Sequence, residues 1–402
     1  MSEWKEYKLA DIIDEISMGP FGSNIKVDCF VGQGVPVLNG SNLIGFKLCE
    51  KSFNYVTKEK ADSLGHSNAY RGDVIVTHRG TLGQIVYIPT DSKYERYVIS
   101  QSQFRFACNK DIIDVAFLVY YFHSREGQYK LLSNASQVGV PALARPTSTF
   151  KELYIKLPCI EEQKQISGVL SSLDDKIDLL NRENATLEAL AETLFRHYFI
   201  ENPNPEWKEA KLGDVAKIGI GRTPPRKETK WFSTSSIDVK WISIKDMGET
   251  GVYIFNTAEY LTREAVDCFK IPIIPNNTVV LSFKMTVGRI GITSEAMLSN
   301  EAIAHFILDD NSPVSKEYLY IFLKLFKFET LGSTSSIVTS INSAMIKEME
   351  LIIPDKDTMM SFDKQVCPLF EKIKSNQQQI LTLTAQRNTL LSRIMSGELK
   401  VA

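Results

Sequence analysis

No uncharged apolar run in this chain approaches the roughly 20 residues that a membrane-spanning helix needs. The opening Met1-Ser2-Glu3-Trp4-Lys5-Glu6 lacks the apolar core of a secretory signal, so a cytoplasmic protein without membrane contact is expected. Cysteine is sparse and dispersed: Cys29, Cys49, Cys108, Cys159, Cys268 and Cys367 form no C-x-x-C pair and have no histidine nearby at zinc-ligand spacing. That excludes a zinc module and implies free thiols in a reducing compartment. His66, His123, His197 and His305 are isolated, which suits structural roles and no metal site. Charge of either sign is not in excess, with 46 Lys and Arg against 48 Asp and Glu. A domain that binds nucleic acid unaided is normally basic, so this balance sits awkwardly with lone binding and fits a reader whose affinity comes largely from partners. Also missing are a G-x-x-x-x-G-K-[ST] phosphate loop and an Asp/Asn-Pro-Pro-aromatic methyltransferase signature.

What is present is a duplication. Trp4-Lys5-Glu6-Tyr7-Lys8-Leu9-Ala10-Asp11 returns as Trp207-Lys208-Glu209-Ala210-Lys211-Leu212-Gly213-Asp214. Gly72 to Gly83 aligns with Asn277 to Gly288, each a β-branched strand running into a turn that carries a base and ends in glycine. Leu153 to Pro158 and Met349 to Pro354 are alternating strands stopped by proline. The length of 402 residues fits two such lobes. Strand-like runs (Val74 to Thr77, Ile85 to Ile88, Val279 to Phe283) mix with helix-like ones (Val115 to Phe122, Tyr318 to Phe326), so the fold class is α+β, with mixed α/β lobes around a twisted sheet.

A long helical stretch follows each lobe. In the first, Leu170, Leu173, Ile177, Leu180, Asn184, Leu187, Ala191 and Leu194 keep the three-then-four spacing of a coiled-coil seam. In the second, Val366, Leu369, Ile373, Asn376, Ile380, Leu383, Arg387, Leu390 and Ile394 do the same. The seams are apolar apart from one asparagine in each and Arg387. Burying them against each other requires antiparallel helices. Setting Asn184 opposite Asn376 then sets Leu180 on Ile380, Ile177 on Leu383, Leu187 on Ile373, Leu170 on Leu390 and Leu194 on Val366, all apolar pairs. Helices of about 30 residues at 1.5 Å rise would space the lobes by roughly 45 Å. The expected division is a first lobe over 1–158, a helix over 159–200, a linker over 201–206, a second lobe over 207–354, and a second helix with the tail over 355–402.

Two related lobes in pseudo-two-fold tandem on a helical spacer suit a reader of two DNA half-sites a fixed distance apart. The chain resembles the specificity subunits of type I restriction-modification systems over nearly its whole length. The resemblance is carried by Leu9-Ala10-Asp11, by Gly19 to Lys26, by the Gly72-Asp73 strand and turn, and by Leu157-Pro158-Cys159-Ile160-Glu161-Glu162-Gln163. In the second copy it is carried by Gly221-Arg222-Thr223-Pro224 and by Leu390 to Leu399. The second helix departs from the pattern, opening with Asp355-Lys356-Asp357-Thr358-Met359 in place of the Glu-Gln pair. The resemblance implies that each lobe is a target-recognition domain for double-stranded DNA. It also implies that the helices dock two modification (methyltransferase) subunits, and that restriction subunits complete an endonuclease. S-adenosylmethionine, ATP and magnesium would belong to those partners, leaving this chain non-catalytic and without a cofactor.

In the first lobe, candidate DNA contacts are Ser23, Asn24 and Lys26 on a glycine loop, and His78, Arg79 and Thr81 on the turn. Gln101 and Gln103 alternate with Ile99 and Phe104 and have the paired donor and acceptor that distinguish adenine in the major groove. In the second lobe they are Arg222, Thr223, Arg226, Lys227 and Lys230 around a Thr-Pro-Pro loop, with Lys245, Lys284 and Arg289, suited to following phosphates. Two other readings remain open. One is an enzyme with an unrecognised site; the other is an adaptor whose lobes bind protein and read no DNA.

Overall fold

Val74–Thr77 is β-branched at every position, and such side chains pack well on a pleated surface. In the computed structural model this strand is central, pairing antiparallel with Ile85–Tyr87 on one side and Gln103–Cys108 on the other. Ile13–Met18 adds to Gln103–Cys108 and completes a four-stranded sheet. The structure describes residues 4–136, 139–331 and 341–399, with the backbone alone for Ser23. Two compact units result, residues 1–176 with 383–402, and residues 177–382.

The second unit repeats the topology of the first. Its corresponding sheet runs Lys217–Ile220, Ile303–Ile307, Val279–Ser282, Ile290–Thr293, with Tyr253–Ile254 added at the edge. Each unit also has a smaller sheet with the same three-strand kernel. In the first, Val35–Val37 lies antiparallel to Asn54–Val56 and parallel to Arg96–Val98. In the second, Val239–Ile242 lies antiparallel to Glu259–Leu261 and parallel to Leu298–Ser299. The Trp-Lys-Glu repeat forms a short ribbon in both, Lys5–Lys8 with Tyr154–Leu157 and Lys208–Lys211 with Glu350–Ile353. A one-turn helix follows each ribbon strand, tied by Leu9 N–H to the Leu153 carbonyl and by Leu212 N–H to the Met349 carbonyl, at 2.9 and 2.8 Å.

The helix-like runs fold as helices Val115–His123 and Lys316–Leu325, each capped at its start by a side chain, Asp114 and Ser315. The second ends one residue short of Phe326, which turns extended. Packed on the sheets, each of these helices contributes to an aromatic cluster. In the first unit Phe122 meets Phe150, as do Phe104 and Phe106 from the strand, and in the second Tyr318 meets Phe195, Phe199 and Phe362 from the long helices.

The two long helices span Ile160–Phe195 and Lys356–Met395, and the first continues as a wider helical turn over Arg196–Glu201. Every seam position is buried or half-buried. Within residues 177–382 the helices run antiparallel. Asn376 Nδ2 donates to Asn184 Oδ1 at 3.0 Å and to Glu183 Oε2 at 3.0 Å, while Gln365 meets Tyr198 further along. Leu187, Leu194, Val366, Leu369 and Ile373 share that unit's core. In the other unit Leu170, Leu390 and Ile394 share a core, and the seam arginine has a partner the periodicity did not reveal. Arg387 donates to Asp174 Oδ1 at 2.6 Å while the Tyr120 hydroxyl donates to Asp174 Oδ2 at 2.5 Å.

The Glu-Glu-Gln opening of the first helix also has a structural basis. Gln163 is fully buried, its Oε1 accepting the Asp114 N–H and its Nε2 donating to the carbonyls of Ile112 and Pro158. It fixes the helix start to its own unit. Met359, also buried, opens the second helix, and there Asp355 makes the polar contacts. Its carboxylate accepts the Thr358 N–H, the Thr358 hydroxyl and the Trp207 indole N–H, which together hold its pKa down to about 2.

Candidate nucleic-acid interface

In the first unit one end of the main sheet gathers four chain segments. Ile13–Met18 runs into Gly19, whose N–H donates to the Gln103 carbonyl at 2.8 Å. A Cβ on Gly19 would lie 1.9 Å from the Ser100 carbonyl oxygen, so only glycine lets the loop pass this close to the next strand. The hairpin turn beginning at His78 joins through its N–H to Ser102 and its carbonyl to the Leu143 N–H, at 2.9 and 2.8 Å. Gly80 N–H reaches the Pro141 carbonyl at 2.8 Å.

Asn24, Lys26, Arg79, Thr81 and Gln101 are all exposed on these segments, and the loop passes close to the Gln101 side chain at Gly22. The Ser23 side chain lies outside the described residues. His78 is half-buried and donates its Nε2–H to the Gln101 carbonyl at 3.1 Å; burial pulls its pKa below the usual imidazole value. Gln103 departs from expectation. It is 1% exposed and its Oε1 accepts the Ser100 N–H at 2.9 Å, so its amide shapes the turn and does not face outward. The cause is that this strand is covered on both faces, so alternation leaves it no outward side. Two exposed groups here were not singled out from sequence. Arg145 has a left-handed backbone, φ 45°, ahead of the helix Pro146–Lys151, and Phe21 projects with 83% of its surface free. The dipeptide Arg145-Pro146 and an aromatic residue between glycine turns were the available signals.

The second unit rebuilds this end. Gly221 takes the place of Gly19: a Cβ there would lie 2.2 Å from the Ser299 carbonyl oxygen and 2.3 Å from that of Asn300. Arg222 N–H donates to Ser299 O at 2.9 Å, and Phe283 N–H, opening the hairpin turn, to Ala302 O at 2.9 Å. Many of the basic side chains are engaged within the unit. Arg222 donates to the carbonyls of Phe269 and Lys270 at 3.0 and 3.1 Å. Thr223 donates its hydroxyl to Glu301. Arg226 pairs with Glu259 at 2.8 Å and lies 4.3 Å from the Phe232 ring centre. Lys230 and Lys245 face Glu228 and Glu249 at 3.9 and 3.7 Å. Arg289 lies over Gly248 and donates to the Ile244 carbonyl at 2.6 Å, bracing the helix Ile244–Glu249. Lys227 and Lys284 are exposed and make no ion pair among the described residues.

Beneath each end the units differ. The first buries Arg105 between Asp73 and Glu15, at 3.1 and 2.5 Å. At the same sheet position the second buries His305, with its Nε2 2.7 Å from Ser299 Oγ, and burial pulls its pKa down to about 4. His305 is therefore neutral when folded, whereas an unfolded chain protonates it below about pH 6.5. Its contribution is complete above that pH and is lost as the pH falls from about 6.5 to about 4, up to about 3 kcal/mol. Thermal midpoints of wild type and His305→Gln compared from pH 7.5 to 4.5 should show a shallower loss in the variant. Parallel curves would contradict this.

Among the described residues no helix is long and apolar enough to cross a membrane, and no cluster of three or more His, Cys, Asp or Glu is placed to hold a metal ion. The family model described as the type I restriction modification DNA specificity domain matches twice, over residues 1–189 and 204–386. The chain is 24% identical over 478 residues to the type I restriction enzyme HindI specificity subunit of Haemophilus influenzae, covering 99% of this chain and 100% of that one. It is 24% identical over 427 residues to the MjaIX specificity subunit of Methanocaldococcus jannaschii, covering 99% and 94%. In fold it is similar to the crystal structure of a type I restriction-modification S subunit from M. genitalium, with TM-score 0.60 and 16% identity over 98% of this chain and 96% of that one. The duplicated lobes, the two glycine-built sheet ends and these matches agree: the chain belongs to the type I restriction-modification DNA specificity family, as a specificity subunit and not a catalytic one.

Proposed function

We propose that each unit reads one half of an asymmetric, bipartite site in double-stranded DNA, and that the long helices set the gap between the halves. The observation that carries this reading is the sheet end built twice on one backbone plan, with Gly19 and Gly221 in equivalent places and different side chains around them. Equal scaffolds with unequal side chains suit two different half-sites. In the first, Asn24, Lys26, Arg79, Thr81 and Gln101 are the contacts of choice; in the second, Lys227 and Lys284 are free for phosphate, and Arg222, Thr223, Arg226 and Arg289 shape the surface.

Two modification subunits would dock along the helices, and restriction subunits would complete the endonuclease, working in the cytoplasm. Methyl transfer from S-adenosylmethionine and magnesium-dependent ATP hydrolysis would belong to those chains. Sharing phosphate contacts with partners accounts for a net charge of only −2. Modularity tests the proposal. Exchanging residues 1–150 for the corresponding lobe of a relative should change one half of the methylated motif and leave the other half and the gap intact. Lengthening both helices by one turn should change the gap alone. A lobe exchange that alters both halves, or neither, contradicts the reading.

A further inference from the structure

The hairpin turn of the second unit holds a large apolar side chain in the open on a strained backbone. Strands Val279–Ser282 and Ile290–Thr293 are joined through a turn braced by Ser282, whose hydroxyl donates to the Thr286 carbonyl at 2.5 Å and accepts the Arg289 N–H at 3.1 Å. At its tip the Thr286 N–H donates to the Lys284 carbonyl at 2.7 Å, closing a three-residue turn around Met285 with φ +62°. A γ-turn with positive φ at its centre is rare and costly for a residue with a side chain. Met285 gains nothing in return from packing, because 92% of its surface is free, more than any other large apolar residue described. At the equivalent place in the first unit stands Gly80, φ +91°, which takes such a backbone without strain.

We propose that Met285 is a specificity-determining residue of the second unit: its side chain contacts the 5-methyl group of a thymine in the major groove while Lys284 meets a flanking phosphate. The proposal rests on the reading that this unit recognises a half-site, and identifies one of the groups that reads it. Three observations carry it. Met285 lies on the hairpin turn whose first residue, Phe283, is hydrogen-bonded to the segment that also holds the Gly221 loop, so it belongs to the same sheet end. Its neighbours Lys284 and Thr286 are exposed and polar, as a tip entering a groove between phosphates requires. Thymine alone among the bases offers a methyl group on the major-groove edge, the natural partner for an apolar tip.

The test uses the chain assembled with its modification subunits and duplexes carrying the methylated motif, with each thymine of the second half-site replaced in turn by deoxyuridine. Wild type should bind one of these duplexes about fourfold more weakly, the worth of burying one methyl group. Met285→Ala should bind the parent duplex more weakly by a similar factor and be indifferent to that replacement. Met285→Gly, which suits the turn and relieves its strain, should behave like the alanine variant and separates contact from folding. Variants that bind as wild type, or that keep the deoxyuridine penalty, overturn the proposal while leaving the half-site reading in place. A wild-type complex with no sequence-dependent binding removes both.

Discussion

Replacing Arg387 by alanine should lower the stability of the unit formed by residues 1–176 and 383–402 by about 3 kcal/mol. The Arg387 side chain is 15% exposed and that of Asp174 11%, so the pair is largely withdrawn from solvent. Arg387 contributes the hydrogen bond to Asp174 at 2.6 Å and lies 4.7 Å from the Phe46 ring centre. Without it, Asp174 keeps the Tyr120 hydroxyl but not its compensating charge, and a carboxylate left buried beside an aromatic cluster is costly. Replacing both residues with apolar ones, Asp174→Leu with Arg387→Met, should recover most of the loss, because no orphaned charge remains. Urea unfolding measures the total, and amide exchange locates it: protection should fall in Val115–His123 and stay unchanged in Lys316–Leu325. A single variant within about 0.5 kcal/mol of wild type would show that solvent already screens the pair.

The second large effect concerns the two glycines. An alanine Cβ at position 19 would meet the Ser100 carbonyl oxygen at 1.9 Å, and one at 221 would meet two carbonyl oxygens at 2.2 and 2.3 Å. These neighbours are backbone and cannot rotate away, so the loop and the turn beside it must separate. Each change should cost about 1–3 kcal/mol in stability. Each should also weaken binding about ten- to hundredfold through lost contacts in one half-site, Gly19→Ala in the first and Gly221→Ala in the second. Gly32, with open space around it, supplies a silent alanine control. Binding to duplexes altered in one half-site at a time distinguishes the two. Equal losses against both halves would contradict the assignment of one half to each unit.

Much of the architecture was legible in the sequence because periodic patterns report which face is buried. The seam residues show this: the spacing picked out both seams, matching the one asparagine of each placed Asn184 opposite Asn376, and the two are hydrogen-bonded at 3.0 Å. The Trp-Lys-Glu repeat similarly reported two equivalent ribbons. What escaped was contact between residues distant in sequence. Arg387 read as an anomaly in an apolar seam because its partner Asp174, which also accepts the Tyr120 hydroxyl, comes from another part of the chain. The same limit governs the candidate DNA contacts. Alternation put Gln103 outward, but a strand covered on both faces buries it. The basic cluster around Thr223 looked free in sequence, whereas Glu259, Glu301 and the Phe269 and Lys270 carbonyls engage much of it. Met285 carried no signal at all, since an apolar residue after a strand ordinarily faces the core.

The most direct measurement is methylation mapping in cells that express this chain with its modification subunit, set against cells that lack only this chain. The account predicts a single split motif with two unlike halves and a fixed gap, methylated only when the chain is present. An unchanged methylation pattern, with the complex shown to assemble, would contradict it.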